Sequence, residues 1–468
     1  MPLMQSLKFL LLYAETFSKN SRMYFIQTIS FCVIIRMCIA NPIPIVTNGS
    51  SKQQTDCLAE MERVFLMDEK ITCNDGSKSG YYLRENQNSE DWIIYLEGGW
   101  FCHNEASCTT RMNHSSLFSM TSSKLWHDCR KGDGMVHPDS NSNPLFYHYN
   151  HVYVPYCSSD FWLGNTNQIT SKGENIAFHG SKILIRLITE LLNKRLAKAS
   201  TLVLAGSSAG GIGVLQNIDR VAKIVQTLKP NIEVKGIIDS AYFLEASLNS
   251  NCKSDGCNNS DMELKLATSY WGALLDSTCD KGYRCLFAEN MLLTVKTPIF
   301  MFQWLYDTVQ IMADNRALET HLDEIFQPEN MAFVLKLGEK MRKLLKESDE
   351  RIGLFAPSCI AHTALASSSV FHGVKIHGVT FNQALQCWLS ESSNKTNSGK
   401  DASCKMRFTD SCPPMSCQKD CPPIYDPTTG VEIEIPMSNV KDLDKKESRP
   451  DPDYMEFLNR VIKDINTG

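Results

Sequence analysis

The stretch Leu204-Ala205-Gly206-Ser207-Ser208-Ala209-Gly210-Gly211 constrains the fold of this chain more than any other. The β-forming run Thr201-Leu202-Val203-Leu204 leads into Gly-x-Ser-x-Gly. Apolar residues at helical spacing, Val214, Leu215, Ile218, Val221, Ala222 and Val225, follow at once. Between a buried strand and a helix this string describes a nucleophile elbow. Gly206 and Gly210 let the backbone turn sharply and lift the Ser208 hydroxyl into the open. The free N–H groups of the helix that starts there favour negative charge at the same spot. The alternative is an ordinary Gly/Ser turn capping a helix.

The flanking sequence repeats the alternation. Trp92-Ile93-Ile94-Tyr95-Leu96 is a continuous apolar run, as expected of a parallel strand buried on both faces. Val152-Tyr153-Val154-Pro155, Val234 to Ile238 and Pro298 to Phe302 are further strands, and residues 174–196 carry helical periodicity. An α/β-hydrolase fold is expected, with a mostly parallel central sheet and helices on both faces. A short helix is expected around Cys57 to Leu66. The catalytic domain is expected to span residues 71–422, opening at the turn Asn74-Asp75-Gly76. Residues 249–294 read as a disulfide-tied cap over the strand C-termini, the alternative being a surface decoration.

Residues 1–40 read as a signal peptide, 41–70 as an N-terminal extension and 423–468 as a charged, partly disordered tail. The apolar run from Tyr24 to Ile35 is too short for a comfortable membrane span, and no second one follows. Two of the 18 cysteines fall in the leader; the remaining even set points to disulfides and an oxidising compartment. A zinc knuckle at Cys404, Cys412, Cys417 and Cys421 lacks a following histidine or a CxxC pair, so no metal is expected. Cys102/Cys108, Cys252/Cys257 and Cys279/Cys285 are candidate local loops. Sequons at Asn48, Asn113, Asn258 and Asn394 fit a secreted glycoprotein. A net charge of −5 argues against nucleic-acid binding.

A serine hydroxyl needs a base, and the base needs a carboxylate. In this fold class the order along the chain is serine, acid, histidine. Four histidines follow Ser208: His321, His362, His372 and His377. His362 sits in a loop stiffened by Pro357 and Cys359, which suits a base held in place, but the other three stay open. Asp307 and Asp239 both follow strands at the expected sheet edge. Ala209 N–H and the loop Gly98-Gly99-Trp100 are placed as oxyanion donors.

The motifs Leu96-Glu97-Gly98-Gly99-Trp100, Pro155-Tyr156-Cys157-Ser158-Ser159-Asp160, Ala205 to Gly211, Gln303-Trp304-Leu305-Tyr306-Asp307 and Phe355 to His362, in that order, resemble the Notum carboxylesterases of the pectin acetylesterase family. The Notum carboxylesterases are secreted and remove palmitoleate from a serine of Wnt proteins. The resemblance implies Ser208 as nucleophile, Asp307 as acid and His362 as base, with Gly99, Trp100 and Ala209 as oxyanion donors. It implies an acyl pocket lined by Trp100, Ile212, Phe243, Leu264, Leu286, Phe287 and Val309, a lipidated Wnt protein as substrate, and no cofactor. Cys57 and Cys129 are extra to the family pattern, and a bond between them is one pairing open to them.

Two other functions stay in view. A carbohydrate O-acetylesterase would need only a shallow pocket. An inactive hydrolase fold could bind sulfated glycans through Lys336, Lys340, Arg342, Lys343 and Lys346, on one or two helices expected over 317–347.

Overall fold

The computed structural model describes residues 60–424 except 115–117, 246–259, 315–324, 372, 394–403, 415, 417 and 419. The expected leader, most of the extension and the tail beyond residue 424 lie outside the described residues. So do Asn48, Asn258, Asn394, Cys57, Cys252, Cys257, Cys417, His321 and His372.

Ten strands form one sheet. In chain order they are β1 (Met61–Phe65), β2 (Gly80–Arg84), β3 (Asp91–Leu96), β4 (Cys129–Arg130), β5 (Asn150–Val154), β6 (Thr201–Ser207), β7 (Glu233–Asp239), β8 (Ile299–Phe302), β9 (Gly353–Ala356) and β10 (Arg407–Thr409). Across the sheet the order is β10-β9-β8-β7-β6-β3-β5-β2-β1-β4. From β10 to β5 neighbours are parallel; β2, β1 and β4 close the far edge antiparallel. The helices used below are α1 (Glu105–Asn113), α2 (Gly180–Lys194), α3 (Ala209–Leu228), α4 (Ser260–Tyr270), α5 (Thr308–Asp314), α6 (Pro328–Glu347) and α7 (Phe381–Ser393).

The middle strands are apolar on both faces because both faces are covered. Ile93, Ile94, Val152, Leu202, Val203 and Ile237 are fully buried, each contributing about 1.5–3 kcal/mol relative to exposure. A Cβ on Gly236 of β7 would meet Ile218 of α3 and Ile299 of β8, so α3 lies on that face. Phe300, the next residue along β8, points the other way into Phe381 and Trp388 of α7.

Connections set where a ligand can bind. After β3 the chain passes to β5 on one side, and after β6 it passes to β7 on the other. Loops that diverge in this way leave a crevice between the two strand ends. The register aligns that edge, pairing Leu96 with Gly206, Ser207 with Asp239, and Asp239 with Phe302.

The sheet begins earlier than the turn at Asn74. Of the helix expected around Cys57 to Leu66, Met61–Phe65 is instead strand β1, because Val64 and Phe65 pair with Tyr81 and Gly80 of β2. Likewise the first part of the helix expected over 174–196 is a strand, Asn175–Phe178, hydrogen-bonded to Thr166–Ile169. The helix itself starts at Gly180, and its expected apolar face, Ile183 to Leu192, is buried. The basic cluster is not one exposed face either. Arg342 of α6 turns inward, donating to the backbone carbonyls of Asp410 and Cys412 and to the Glu339 carboxylate.

Cysteines pair as disulfides: Cys73–Cys157, Cys102–Cys108, Cys279–Cys285, Cys359–Cys421 and Cys387–Cys404. The last two take Cys404 and Cys421 out of any zinc site. Cys279–Cys285 lies in the insertion after β7. That insertion packs at the C-terminal edge of the sheet: Trp271 Nε1 donates to the Cys102 carbonyl, and its ring meets Phe101 and Phe161 edge-on. No helix among the described residues is long and apolar enough to cross a membrane.

Candidate active site

Ser208 sits between β6 and α3 with φ 55° and ψ −122°, a conformation costly for a non-glycine residue. The elbow survives because its neighbours are held. Ser208 N–H donates to the Asp239 carbonyl (2.8 Å), and Ile212 N–H closes the first helical turn on the Ser208 carbonyl (3.0 Å). Small residues are obligatory here: a Cβ on Gly206 would come within 2.5 Å of the Gly210 carbonyl oxygen, and one on Gly210 within 2.1 Å of that of Leu96. The Ser208 side chain makes no capping hydrogen bond to α3, which sets aside a mere helix cap.

Asp307 and His362, candidate acid and base, are brought together by a two-residue parallel ladder, Tyr306–Asp307 against Ile360–Ala361, which pairs Asp307 with Ala361 and so puts His362 beside the carboxylate. His362 Nδ1 lies 2.9 Å from Asp307 Oδ2 and 3.0 Å from Oδ1, with both side chains buried. Asp307 Oδ1 also accepts from the N–H groups of Val309 (2.9 Å) and Gln310 (3.3 Å) at the start of α5. Cys359–Cys421 anchors the loop that carries His362. His377 lies exposed in the turn of the small hairpin Lys375–Ile376/Val379–Thr380.

Asp239, the other acid candidate, has a different task. Its Oδ2 accepts from Ser207 Oγ and from the N–H groups of Ala364 (2.7 Å) and Leu365 (3.0 Å), and its Oδ1 from Ser240 Oγ (2.7 Å). Ser240 Oγ in turn accepts from Thr363 N–H (3.0 Å). Asp239 therefore ties the residue before the serine to the residues after His362. Complete burial pushes its carboxyl pKa up, opposed by these hydrogen bonds, which favour the charged form.

The loop after β3 crosses directly over the elbow. A Cβ on Gly98 would lie 2.6 Å from the Ser207 carbonyl oxygen and 2.9 Å from Ser208 Cβ. Gly99 and Trp100 both have positive φ, 151° and 60°. No backbone hydrogen bond among the described residues uses their N–H groups. Ala209 is the first residue of α3, so its N–H has no acceptor within the helix. Of the apolar residues named for the acyl group, Ile212, Leu286, Phe287 and Val309 are buried, while Trp100, Phe243 and Leu264 are half-buried. The Trp100 and Phe243 rings meet edge-on at 6.5 Å. Two surface cavities of about 600 and 410 Å³, lined from α2 and α3, lie away from Ser208.

Several supporting residues were not singled out from sequence. Glu97 accepts from Tyr153 Oη (2.6 Å) and Tyr156 N–H (2.8 Å), fixing the base of the glycine loop. Asp160 gathers Ser158 Oγ and the N–H groups of Trp162, Gly164 and Gly180, and burial pushes its pKa up to about 6. Both stand inside motifs quoted for the family resemblance, so a signal existed. Arg111 on α1 had none, since a single arginine in a short polar helix reads as solvated.

A strand–serine–helix elbow at a switch point, with a His–Asp pair whose histidine segment is tied to the elbow through Asp239, has the form of an α/β-hydrolase. Within that class the chain belongs to the family described as Pectinacetylesterase, whose model matches residues 53–422. It is 34% identical over 401 residues to the palmitoleoyl-protein carboxylesterase notum2 of Xenopus laevis, covering 84% of this chain and 79% of that one. The mouse palmitoleoyl-protein carboxylesterase NOTUM is 35% identical over 383 residues, covering 79% and 74%. Among solved structures, the Wnt deacylase Notum from Drosophila superposes with a TM-score of 0.67 at 31% identity, covering 78% of this chain and 99% of that one. Carboxylic ester hydrolysis is the reaction class these relatives share with the chain.

Proposed function

We propose that this protein is a secreted serine carboxylesterase that removes a palmitoleoyl group from a serine of a lipidated Wnt protein, acting as an extracellular antagonist of Wnt signalling. Ser208 is the nucleophile, His362 the base and Asp307 the acid that orients it. The observation that carries the reading is the bond between His362 Nδ1 and Asp307, on a segment that Asp239 ties to the strained serine elbow. With Nδ1–H given to the carboxylate, Nε2 is the basic nitrogen, the tautomer a serine hydroxyl needs.

Ser208 Oγ attacks the acyl carbonyl as His362 Nε2 takes its proton. Negative charge gathers on the carbonyl oxygen, where the N–H groups of Gly99, Trp100 and Ala209 stabilise it. Collapse breaks the bond to the Wnt serine oxygen, which leaves with the proton from His362, and the acyl group stays on Ser208. Water, deprotonated by His362, then attacks the acyl-enzyme and releases the fatty acid. Trp100, Ile212, Phe243, Leu264, Leu286, Phe287 and Val309 receive the chain. The names of the relatives support the substrate, and the disulfides and exposed sequon Asn113 support secretion. With Arg342 buried, a sulfated-glycan site rests on Lys336, Lys340, Lys343 and Lys346, and salt-dependent retention on heparin tests it.

Ser208→Ala should lower turnover of an octanoyl ester by at least about 10⁴-fold with secretion intact; retained turnover sinks the mechanism. A wild-type preference for acetyl over octanoyl esters would favour the carbohydrate O-acetylesterase. Failure of the wild type to label with a fluorophosphonate would mark an inactive fold.

A further inference from the structure

We propose that Arg111 is a positioning residue for the oxyanion hole, acting through the peptide that joins Gly99 to Trp100. The inference rests on the reading of Trp100 N–H as an oxyanion donor and extends it to a charge that does not touch substrate.

Arg111 is fully buried, where a guanidinium is costly unless its donors are well used. Its Nη2 donates to the Gly99 carbonyl oxygen, and its Nε donates to Ser159 Oγ (2.8 Å). Ser159 Oγ is held in turn by Asn74 Oδ1 (2.7 Å), whose amide nitrogen donates to the carbonyls of Ser158 and Ala177 (both 2.8 Å). The helix that carries Arg111 is stapled to the same loop: Cys102–Cys108 joins its first turns to the residues after Trp100, and Asn104 caps it.

In a trans peptide the C=O of one residue and the N–H of the next point in opposite directions and share one plane. Fixing the Gly99 oxygen on Arg111 therefore fixes the direction of Trp100 N–H, away from the guanidinium. A cation on the carbonyl also polarises the peptide, strengthening the N–H as a donor. This peptide needs holding, since Trp100 at φ 60° is in a region bulky residues avoid. A Cβ on Gly99 would come within 2.8 Å of Met120 Sδ and 2.9 Å of the Tyr156 ring, so the loop is wedged from behind as well. The arrangement has the properties of a preorganised donor: its direction is set before substrate arrives and needs no reorganisation during the reaction.

Arg111→Met and Arg111→Lys, in the full secreted chain, test the proposal with kcat and KM on an octanoyl ester and the Ki of a boronic acid that mimics the tetrahedral state. Losing a whole oxyanion donor costs about 10²–10³-fold in kcat. Misaligning one should lower kcat by about 10- to 100-fold in the Met variant, less in Lys, with KM changed by no more than about twofold. The boronic acid should weaken in step with kcat/KM, whereas inhibition by octanoate, which lacks a tetrahedral centre, should not move. Unchanged kcat in the Met variant overturns the proposal, and so does a loss in which octanoate and boronic acid weaken equally. If neither variant is secreted folded, Ser159→Ala, which frees one edge of the guanidinium, is read by the same criteria. A wild-type protein that a fluorophosphonate does not label refutes the serine-esterase reading itself; labelling with turnover indifferent to Arg111 refutes only this inference.

Discussion

Replacing Asp307 by Asn should abolish activity while leaving the shape of the site intact, and the structure says why. Asp307 Oδ1 is claimed by two N–H groups, Val309 at 2.9 Å and Gln310 at 3.3 Å. An asparagine must put its carbonyl oxygen there, because its NH₂ would face donors. The amide nitrogen then takes the Oδ2 position, 2.9 Å from His362 Nδ1. A donor at the nearer Oδ2 position favours the imidazole proton on Nε2, and a protonated Nε2 cannot accept from the serine. The wrong-tautomer effect in a Ser-His-Asp triad is worth about 10⁴-fold in kcat, which is the loss expected here on an octanoyl ester at neutral pH. Labelling by a fluorophosphonate should slow in parallel, since it needs the same base, and the thermal midpoint should stay within a few degrees of wild type. Turnover within about tenfold of wild type would refute the assignment of Nε2 as the base.

Asp239→Asn should be a folding lesion as well as an activity lesion. An amide at this site sets NH₂ against the donors of Ala364, Leu365 and Ser207 or against Ser240, a cost of about 1–3 kcal/mol per group left unpaired, read as a lowered denaturation midpoint. His151, buried and with Nε2 2.7 Å from the Phe146 carbonyl, has its pKa pushed down to about 4, chiefly by burial. Its folded pKa lies below the unfolded one, so its contribution is fully present above about pH 6.5 and is lost as pH falls towards 4, by roughly 3 kcal/mol. His151→Gln keeps a donor for the carbonyl but does not titrate, and its stability should fall less steeply over that range in urea titrations at each pH.

The elbow was legible in the sequence because its requirements are local: Gly206 and Gly210 face backbone at distances no side chain allows, and the strand and helix on either side have opposite periodicities. Choosing His362 among four histidines was not. What puts it beside Asp307 is the ladder of Tyr306–Asp307 with Ile360–Ala361, two residues long and carrying no periodic signal, and only resemblance to a known family singled it out as the base. Short segments failed for a related reason. Met61–Phe65 and Asn175–Phe178 are strands because a partner edge is there to pair with, which outweighs weak local preference over four or five residues. Charge runs mislead differently. Arg342 reads as one more cation on a wet face, yet carbonyls of a segment about seventy residues onward draw it into the interior. Arg111, on a short polar helix yet fully buried, is hidden from the sequence in the same way.

The Asp239 carboxylate also bears on how the site comes apart. Ser208 and His362 belong to segments more than 150 residues apart, yet Ser207, Ala364 and Leu365 all bond one buried side chain at the end of a central strand. The His362 segment therefore cannot swing out alone without stranding a buried carboxylate. In hydrogen-exchange terms, the amides of Ala364 and Leu365 belong to the same opening unit as the centre of the sheet, although they lie in a loop. A loop that exchanges like a strand keeps its geometry while the surface around it fluctuates, and it is lost only when the sheet itself opens.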